Sequence, residues 1–371
     1  MACWAAQNAC SGNMIYIHVP FCKSFCIYCD FYSEIEADGM AEAYTREICA
    51  EIKRRSSEMD DTLKTLYFGG GTPSVLPLSS LTRILLCLEE VGHGGPYTEF
   101  TMEVNPEDLV EKGLPYVENL KMLGVNRISI GVQSLDDDML RWMNRRHTAR
   151  AAKEAFRLVQ QAGIENISLD LIFGLSNLSD KVWESTIDQV LELGPKHISC
   201  YQLTVEGDNV LAHRLENGEY QEATEEQCRS QYDLLCGKLA AAGYRHYEIS
   251  NFALPGYEAV HNGGYWARRP YVGLGPSAHS FSGSGRSWNS PELTGYTHTR
   301  EALSVEDEKV ETLMLALRTA RGIDAEFLEA NCLRQDIDRL CQQGALLKEG
   351  RRYRIPEDHF FVSDEIIREL I

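Results

Sequence analysis

No stretch of the 371-residue sequence approaches twenty consecutive apolar residues, so no segment reads as a membrane-spanning helix. The first residues, 1–13, are small and polar and have no basic stretch leading into an apolar one, so they do not read as a secretory leader. Positive charge is scarce: 36 Lys and Arg stand against 55 Asp and Glu, a net charge of −19. Such a surface repels phosphate backbones and anionic lipid. That makes nucleic acid a poor partner and leaves only peripheral contact with a membrane open. Internal repeats and low-complexity tracts are absent as well. What is present is an apolar fraction of 44%, ample for a sizeable core, and twelve cysteines. Without a leader these thiols are expected in a reducing, cytoplasmic setting rather than in a disulfide framework.

Three of the cysteines stand out. Cys22, Cys26 and Cys29 are spaced Cys-x3-Cys-x2-Cys, directly after an apolar run from Met14 to Phe21 that reads as a strand. Thiolate is the ligand that selects iron–sulfur clusters and soft metals. A [4Fe-4S] cubane held by three protein thiolates leaves one iron open to an outside ligand. The plainer alternatives are three small buried hydrophobes, or a structural zinc site. Zinc asks for four ligands, usually in two paired knuckles, and no second pair lies nearby.

Strand-like runs alternate with amphipathic segments over the first two thirds of the chain. The strands are expected at Met14–Pro20, Thr65–Gly69, Glu99–Asn105, Arg127–Gln133, Asn166–Phe173 and His197–Thr204. Helices are expected near Ala41–Lys53, Ser79–Glu90, Pro106–Leu123, Ala151–Ala162 and Lys181–Leu193. This βα repetition predicts an α/β fold, a parallel sheet with helices outside. Periodicity alone does not separate a partial barrel from an open sheet. Residues 256–285, rich in Gly, Tyr and Trp, read as irregular but ordered. From Ser304 onward short helices, a strand at Arg351–Ile355 and a last helix at Ser363–Ile371 suggest a small, mostly helical, winged-helix-like appendage. With fifteen acidic against ten basic side chains it makes a poor DNA binder. The expected organisation is a short extension (1–13), a barrel (14–206), its extension (207–303) and the appendage (304–371).

Polar interruptions of the apolar strands mark a candidate ligand site. Gly69-Gly-Gly-Thr-Pro-Ser74 follows the second strand, where bare backbone lets a ligand approach; an ordinary turn would use the same residues. Glu103, Gln133 and Asp170 interrupt successive strands, and three such residues suggest one polar ligand. For Glu103 alone, a structural ion pair with Arg127 or Arg145 would serve equally well.

In this order the motifs resemble the radical S-adenosylmethionine (radical SAM) superfamily, and within it the branch that holds the oxygen-independent coproporphyrinogen III dehydrogenase HemN and the HemW haem chaperones. The resemblance runs from about Met14 to the C-terminus through Tyr-Ile-His-Val-Pro-Phe-Cys, Gly-Gly-Gly-Thr-Pro-Ser, Glu-Val-Asn-Pro, Arg-Ile-Ser-Ile-Gly-Val-Gln-Ser, Asp-Leu-Ile-Phe-Gly-Leu, Tyr-Glu-Ile-Ser-Asn-Phe-Ala and the closing Phe-Val-Ser-Asp-Glu-Ile-Ile-Arg-Glu-Leu. It implies an incomplete (β/α)6 TIM-like barrel with a C-terminal domain of HemN/HemW type. It also implies that Cys22, Cys26 and Cys29 hold the cluster, and that the methionine end of S-adenosylmethionine (SAM) chelates the open iron. Tyr16, Tyr28, Gly70, Gly71, Thr72, Glu103, Gln133, Arg145 and Asp170 match positions that surround SAM. Tyr28 would cover the adenine, and Arg145 would fork onto the SAM carboxylate. The resemblance singles out no catalytic side chain.

Two departures favour the chaperone type within that branch. The dehydrogenase has a fourth cysteine where this chain has Phe31, and it has a long N-terminal arm where this chain has about a dozen residues before the first strand. A third sign is His261-Asn-Gly-Gly-Tyr265-Trp266, which matches the His-Asn-x-x-Tyr-Trp motif associated with haem. Histidine ligates haem iron, and Tyr and Trp offer flat apolar faces. A histidine that bonds a loop carbonyl in a turn is the plainer alternative. The expected function is thus haem binding and transfer to acceptor proteins. The competing function is radical decarboxylation of coproporphyrinogen III, and a zinc or adaptor protein is the third class.

Overall fold

The computed structural model describes residues 14–59 and 65–371, so the expected extension at 1–13 lies outside the described residues. The chain folds into two compact units. Among the described residues, the first takes 14–59, 65–131, 151–167 and 269–302, and the second takes 132–150, 168–268 and 303–371.

In the first unit, β1 (Met14–Val19) runs parallel to β4 (Thr65–Gly70), with β2 (Phe21–Cys22) and β3 (Glu34–Ile35) forming a small parallel pair between them in sequence. Beyond β4 follow β5 (Glu99–Val104) and β6 (Arg127–Gln133), each parallel to its neighbour. Parallel strands covered on both faces must be apolar almost throughout. Ile15, Ile17, Leu66, Phe68, Phe100, Met102, Ile128 and Ile130 accordingly have essentially no exposed surface. The helix Met40–Arg54 turns Tyr44, Ile48 and Ile52 inward at helical spacing and packs against Leu78–Glu90, which buries Leu81, Ile84 and Leu88.

The stretch expected to be irregular is instead regular over much of its length. The helix Val260–Trp266 is followed by the strand Tyr271–Leu274, which lies parallel to β1 on the side away from β4. Strands His279–Phe281, Gly285–Asn289 and His298–Ala302 then add on in antiparallel order. Each is five residues or fewer, too short for alternation to show through the Gly and Ser between them. A buried carboxylate holds the hairpins to the first helix. Glu51, 1% exposed, accepts from Arg55 Nη1 (3.1 Å), Gly275 N (2.8 Å), Asn289 Nδ2 (2.8 Å) and Tyr296 Oη (2.5 Å). At Gly273 an added Cβ would stand 1.9 Å from the His279 carbonyl oxygen, so this tight crossing requires glycine.

In the second unit, β7 (Asn166–Phe173) and β8 (His197–Gln202) are parallel, and β10 (Asn251–Ala253) runs antiparallel to β8 with β9 (Arg245–Glu248) beside it. Ser179 caps the helix Asp180–Leu193, and Gly194 ends it in the left-handed region. The helix Glu225–Ala241 packs on it, with Gln231 bonded to Gly174 N, Leu178 O and, through its own carbonyl, Trp183 Nε1. The C-terminal segment has helices Val305–Leu317, Ala325–Asn331 and Arg334–Gln342, a last helix Ser363–Arg368, and a sheet in which Arg352–Arg354 lies between Ile323–Asp324 and Leu347–Glu349. The six strands expected along the barrel all form, with ends shifted by at most two residues.

Candidate functional site

The cysteine loop and the glycine motif meet in the first unit. β1 ends at Val19 and the loop begins at Cys22, while β4 runs into Gly69–Ser74; register brings the two together, Val19 lying opposite Gly70. Gly71 N donates to Val19 O at 2.8 Å, and Cys22 Sγ lies 3.4 Å from Thr72 Oγ1. Asn105 Nδ2 donates to the same Thr72 oxygen at 3.1 Å. Ser74 Oγ donates to Asp108 Oδ2 at 2.7 Å, and Lys23, on the cysteine loop, reaches Asp108 (3.1 Å) and Glu111 (2.9 Å). A chain of polar contacts thus ties both loops to the first turn of the helix Pro106–Met122.

Cys22, Cys26 and Cys29 are half-buried, and all ten described cysteines are free thiols. Burial, reinforced by the crowding of Cys26 and Cys22 and opposed by a backbone bond at Phe31, pushes the Cys29 thiol up to about 11. Among the described residues no three His, Cys, Asp or Glu side chains are placed to hold a single metal ion. In a cubane each thiolate takes a different iron, and three thiols spread along one loop fit that donor pattern. Phe25, Phe31 and Ile35 around the loop are exposed at 48%, 66% and 45%, and Tyr28 is half-buried.

The glycines are required first by the chain itself. Gly70 has φ +108°, and a Cβ there would stand 2.5–2.8 Å from the His18 ring. At Gly71 a Cβ would meet the backbone of Pro20 and Phe21 at 2.9–3.0 Å. Sequence reasoning passed over His18, which is 5% exposed. Its Nε2 lies 2.9 Å from the Tyr32 carbonyl and its Nδ1 3.0 Å from Tyr16 Oη. A carbonyl only accepts, so Nε2 carries the proton and the Tyr16 hydroxyl donates to Nδ1. Burial, with His279 nearby, holds the His18 pKa below the usual imidazole value against the Tyr32 bond. Burial, and then Glu103, raises the Tyr16 hydroxyl well above its ordinary pKa, so it stays a donor. Glu103 accepts from Tyr67 Oη at 2.6 Å and Gly70 N at 3.2 Å. Of the ion-pair partners considered for it, Arg127 instead donates to Asn166 Oδ1 at 2.9 Å. Alternation was the available signal: Tyr16 and His18 share one face of β1, and Tyr67 lies directly opposite Tyr16 on β4.

The remaining expected site residues belong to the second unit. Gln133 ends β6 with φ +64°, and Asn144, just before the half-buried Arg145, has φ +60°. Such φ values are uncommon outside glycine and concentrate at functional positions. Asp170 is half-buried on β7 and accepts from Ser168 Oγ at 3.1 Å. His261 and Tyr265 lie one turn apart on the helix Val260–Trp266, with Nε2 and Oη 2.8 Å apart. His261 has no exposed surface, and burial lowers its pKa to about 3, so the ring is neutral. Tyr265 and Trp266 are half-buried.

Residues 16–190 match the family model of the Radical SAM superfamily. A protein of Synechocystis sp. named Heme chaperone HemW is 35% identical over 83% of this chain and 78% of its own length. Its namesake from Lactococcus lactis subsp. lactis is 31% identical over 97% of both chains. The mitochondrial Radical S-adenosyl methionine domain-containing protein 1 of Bos taurus is 30% identical over 96% of this chain and 87% of its own. Among solved structures, coproporphyrinogen III oxidase (HemN) from Escherichia coli superposes with a TM-score of 0.80 over 96% of this chain and 90% of that one, at 19% identity. At that identity the likeness speaks for the fold, which is the radical SAM α/β fold with its parallel-rich sheet.

Proposed function

This chain belongs to the HemW family of radical SAM proteins, and on that premise we propose that it binds haem and passes it to acceptor proteins. The observation that carries the proposal is likeness to proteins named Heme chaperone HemW along 97% of the chain, the C-terminal segment and the His261 helix included. Cys22, Cys26 and Cys29 hold a [4Fe-4S] cluster. Bound there, such a cluster supplies an open iron position to which the amino and carboxylate groups of SAM can bind.

The chain's own groups prepare for that ligand. Glu103 is held by Tyr67 and by the Gly70 N–H with its oxygens toward the glycine loop, suited to an ammonium group. Thr72, fixed by Asn105, sits against Cys22 and sets the height of the cysteine loop. Tyr16, Tyr28, Gly70 and Gly71 complete the contacts in the first unit. Gln133, Arg145 and Asp170 are assigned to SAM by the resemblance of their motifs alone. Tyr265 and Trp266 would hold haem with their flat apolar faces, and His261 would offer a nitrogen ligand to its iron. His261 Nε2 is engaged with Tyr265 Oη at 2.8 Å, and that contact would have to open for Nε2 to serve as a ligand. Residues 304–371 form the HemN/HemW-type C-terminal domain. Among the described residues no helix is long and apolar enough to cross a membrane, and a cytoplasmic setting suits the free thiols.

The test is anaerobic purification and cluster reconstitution, then haem titration and coproporphyrinogen III turnover in parallel. The expected result is about four irons per chain, lost in Cys22→Ala, Cys26→Ala or Cys29→Ala. Haem should bind with no turnover, and His261→Ala should shift the Soret band or weaken haem while iron content holds. Sustained conversion of coproporphyrinogen III with SAM and a reductant overturns the chaperone reading in favour of the dehydrogenase.

A further inference from the structure

Among the ten histidines three are exposed, His213, His279 and His298. His213 Nε2 sits 2.7 Å from Asp208, and His298 Nδ1 lies 2.9 Å from Asn289 Oδ1. His279, on the strand His279–Phe281, has no hydrogen-bond partner for either ring nitrogen among the described residues. Its ring lies beside that of Trp288, with 6.0 Å between centroids and 23° between planes. His261, by contrast, has no exposed surface, and its Nε2 is engaged with Tyr265.

Strand register gives His279 its neighbours. Tyr271 lies opposite Met14 of β1, and Phe281 lies opposite Tyr271. Partners across a ladder share a face, and alternate residues along a strand return to it. His279 and Phe281 therefore stand on the face of β1 that carries Tyr16 and His18, and His279 is near enough to bear on the His18 pKa. Trp288 lies opposite His279 and Arg286 opposite Phe281, so both join that face. Trp288 is half-buried there, while His279 and Arg286 are exposed. The other face of these hairpins is taken up by structure: Ser280 bonds Arg55, and Asn289 bonds Glu51.

Partial burial, and then the positive charge of Arg286, lowers the His279 pKa from the usual 6.5, so the ring is neutral at neutral pH. A neutral imidazole gives a lone pair to a metal without first shedding a proton. Trp288 holds the ring in orientation. Because the indole plane is close to the imidazole plane, a flat macrocycle set across the histidine nitrogen meets the indole edge-on, a T-shaped arrangement that aromatic groups favour. Arg286 offers a guanidinium fork to a carboxylate. Glu301 stands opposite Arg286 on the next strand, but both are exposed, where pairing contributes little and yields to a ligand. In a chain of net charge −19, that guanidinium answers the anionic propionates that the rest of the surface repels. A nitrogen ligand, an aromatic edge and a guanidinium on one face suit an iron porphyrin.

We infer that His279, Trp288 and Arg286 form a haem-binding contact on the first unit: a ring nitrogen of His279 ligates the iron, Trp288 orients that ring, and Arg286 receives a propionate. The inference rests on the proposal that this chain binds haem. It gives the cargo an open nitrogen in a fold where His261 is closed.

Ferric haem titrated into the cluster-loaded protein, followed as Soret difference spectra, tests the contact. Iron content, measured before haem is added, reports that each variant has folded around its cluster. His279→Ala should shift the Soret band and weaken haem roughly 10- to 100-fold, the range that even a metal ligand's supporting partner commands. Imidazole added to His279→Gly should return the band to its unaltered position, a rescue that a merely structural role would not give. Arg286→Gln leaves the ring untouched and should weaken haem without moving the band. His213→Ala, which removes an exposed histidine elsewhere, should titrate like the unaltered chain. Unaltered haem affinity in either His279→Ala or Arg286→Gln overturns the contact and leaves the haem reading in place. An equal loss in His213→Ala shows surface adsorption and overturns it too. If His279→Ala keeps haem but loses the SAM-induced change in the cluster's EPR signal, the ring serves SAM and the inference falls. An unaltered chain that gives no Soret band overturns the haem reading and this contact with it.

Discussion

Glu248 is replaced by Gln in the most discriminating stability test. Glu248 ends β9, 1% exposed, and its Oε1 has no hydrogen-bond partner, nor has Oδ1 of Asn251 across the strand pair. Burial raises its carboxyl pKa from the ordinary 4.5 to about 7, against the opposing bonds from the Asn251 side chain and the Ser250 N–H. The folded state therefore keeps this proton up to about pH 7, whereas the unfolded chain gives it up above 4.5. Between those values the folded state binds more protons, so stability falls as pH rises and levels off above pH 7. At 1.36 kcal/mol per pH unit the fall is roughly 3 kcal/mol. Gln cannot ionise, keeps the size, and offers an N–H to the Asn251 oxygen. Guanidinium unfolding of both proteins under anaerobic conditions, from about pH 4.5 to 8, reads the difference. The two should match at the acid end, and Glu248→Gln should be more stable by roughly 3 kcal/mol at pH 7.5. Parallel pH profiles, or a variant less stable at pH 7.5, would refute the assignment.

Removing Glu51 as Glu51→Ala leaves Arg55 and three other donors buried without their acceptor, and should lower stability by about 3–5 kcal/mol in denaturant unfolding; a loss below about 1 kcal/mol would show the hairpins are held otherwise. Gly70→Ala must strain a φ of +108° and displace His18, so it should cost roughly 1–3 kcal/mol in the cluster-free protein, before any ligand is involved. A cleaner probe of SAM is Glu103→Gln, which should keep the iron content and weaken the SAM-induced change in the reduced cluster's EPR signal; an unaltered change would remove Glu103 from the site.

What the sequence determined by itself is what sits within a short window. Alternating apolar runs and amphipathic helices set the six parallel-type strands and the helices between them, because side-chain period is a local property. The cysteine loop was legible for the same reason: its chemistry occupies eight consecutive residues, 22–29. Tertiary structure decided everything that depends on a distant partner. The short strands of 269–302 form because Tyr271–Leu274 finds β1, and Glu51 is satisfied by donors more than 200 positions away. The glycine motif proved to be demanded by His18 packing against Gly70, a clash that needs β1 beside β4 to exist. His279 and Trp288 are each single residues in short strands. Only strand pairing puts them on the face that carries Tyr16 and His18, because register is set against neighbours in space and not along the chain.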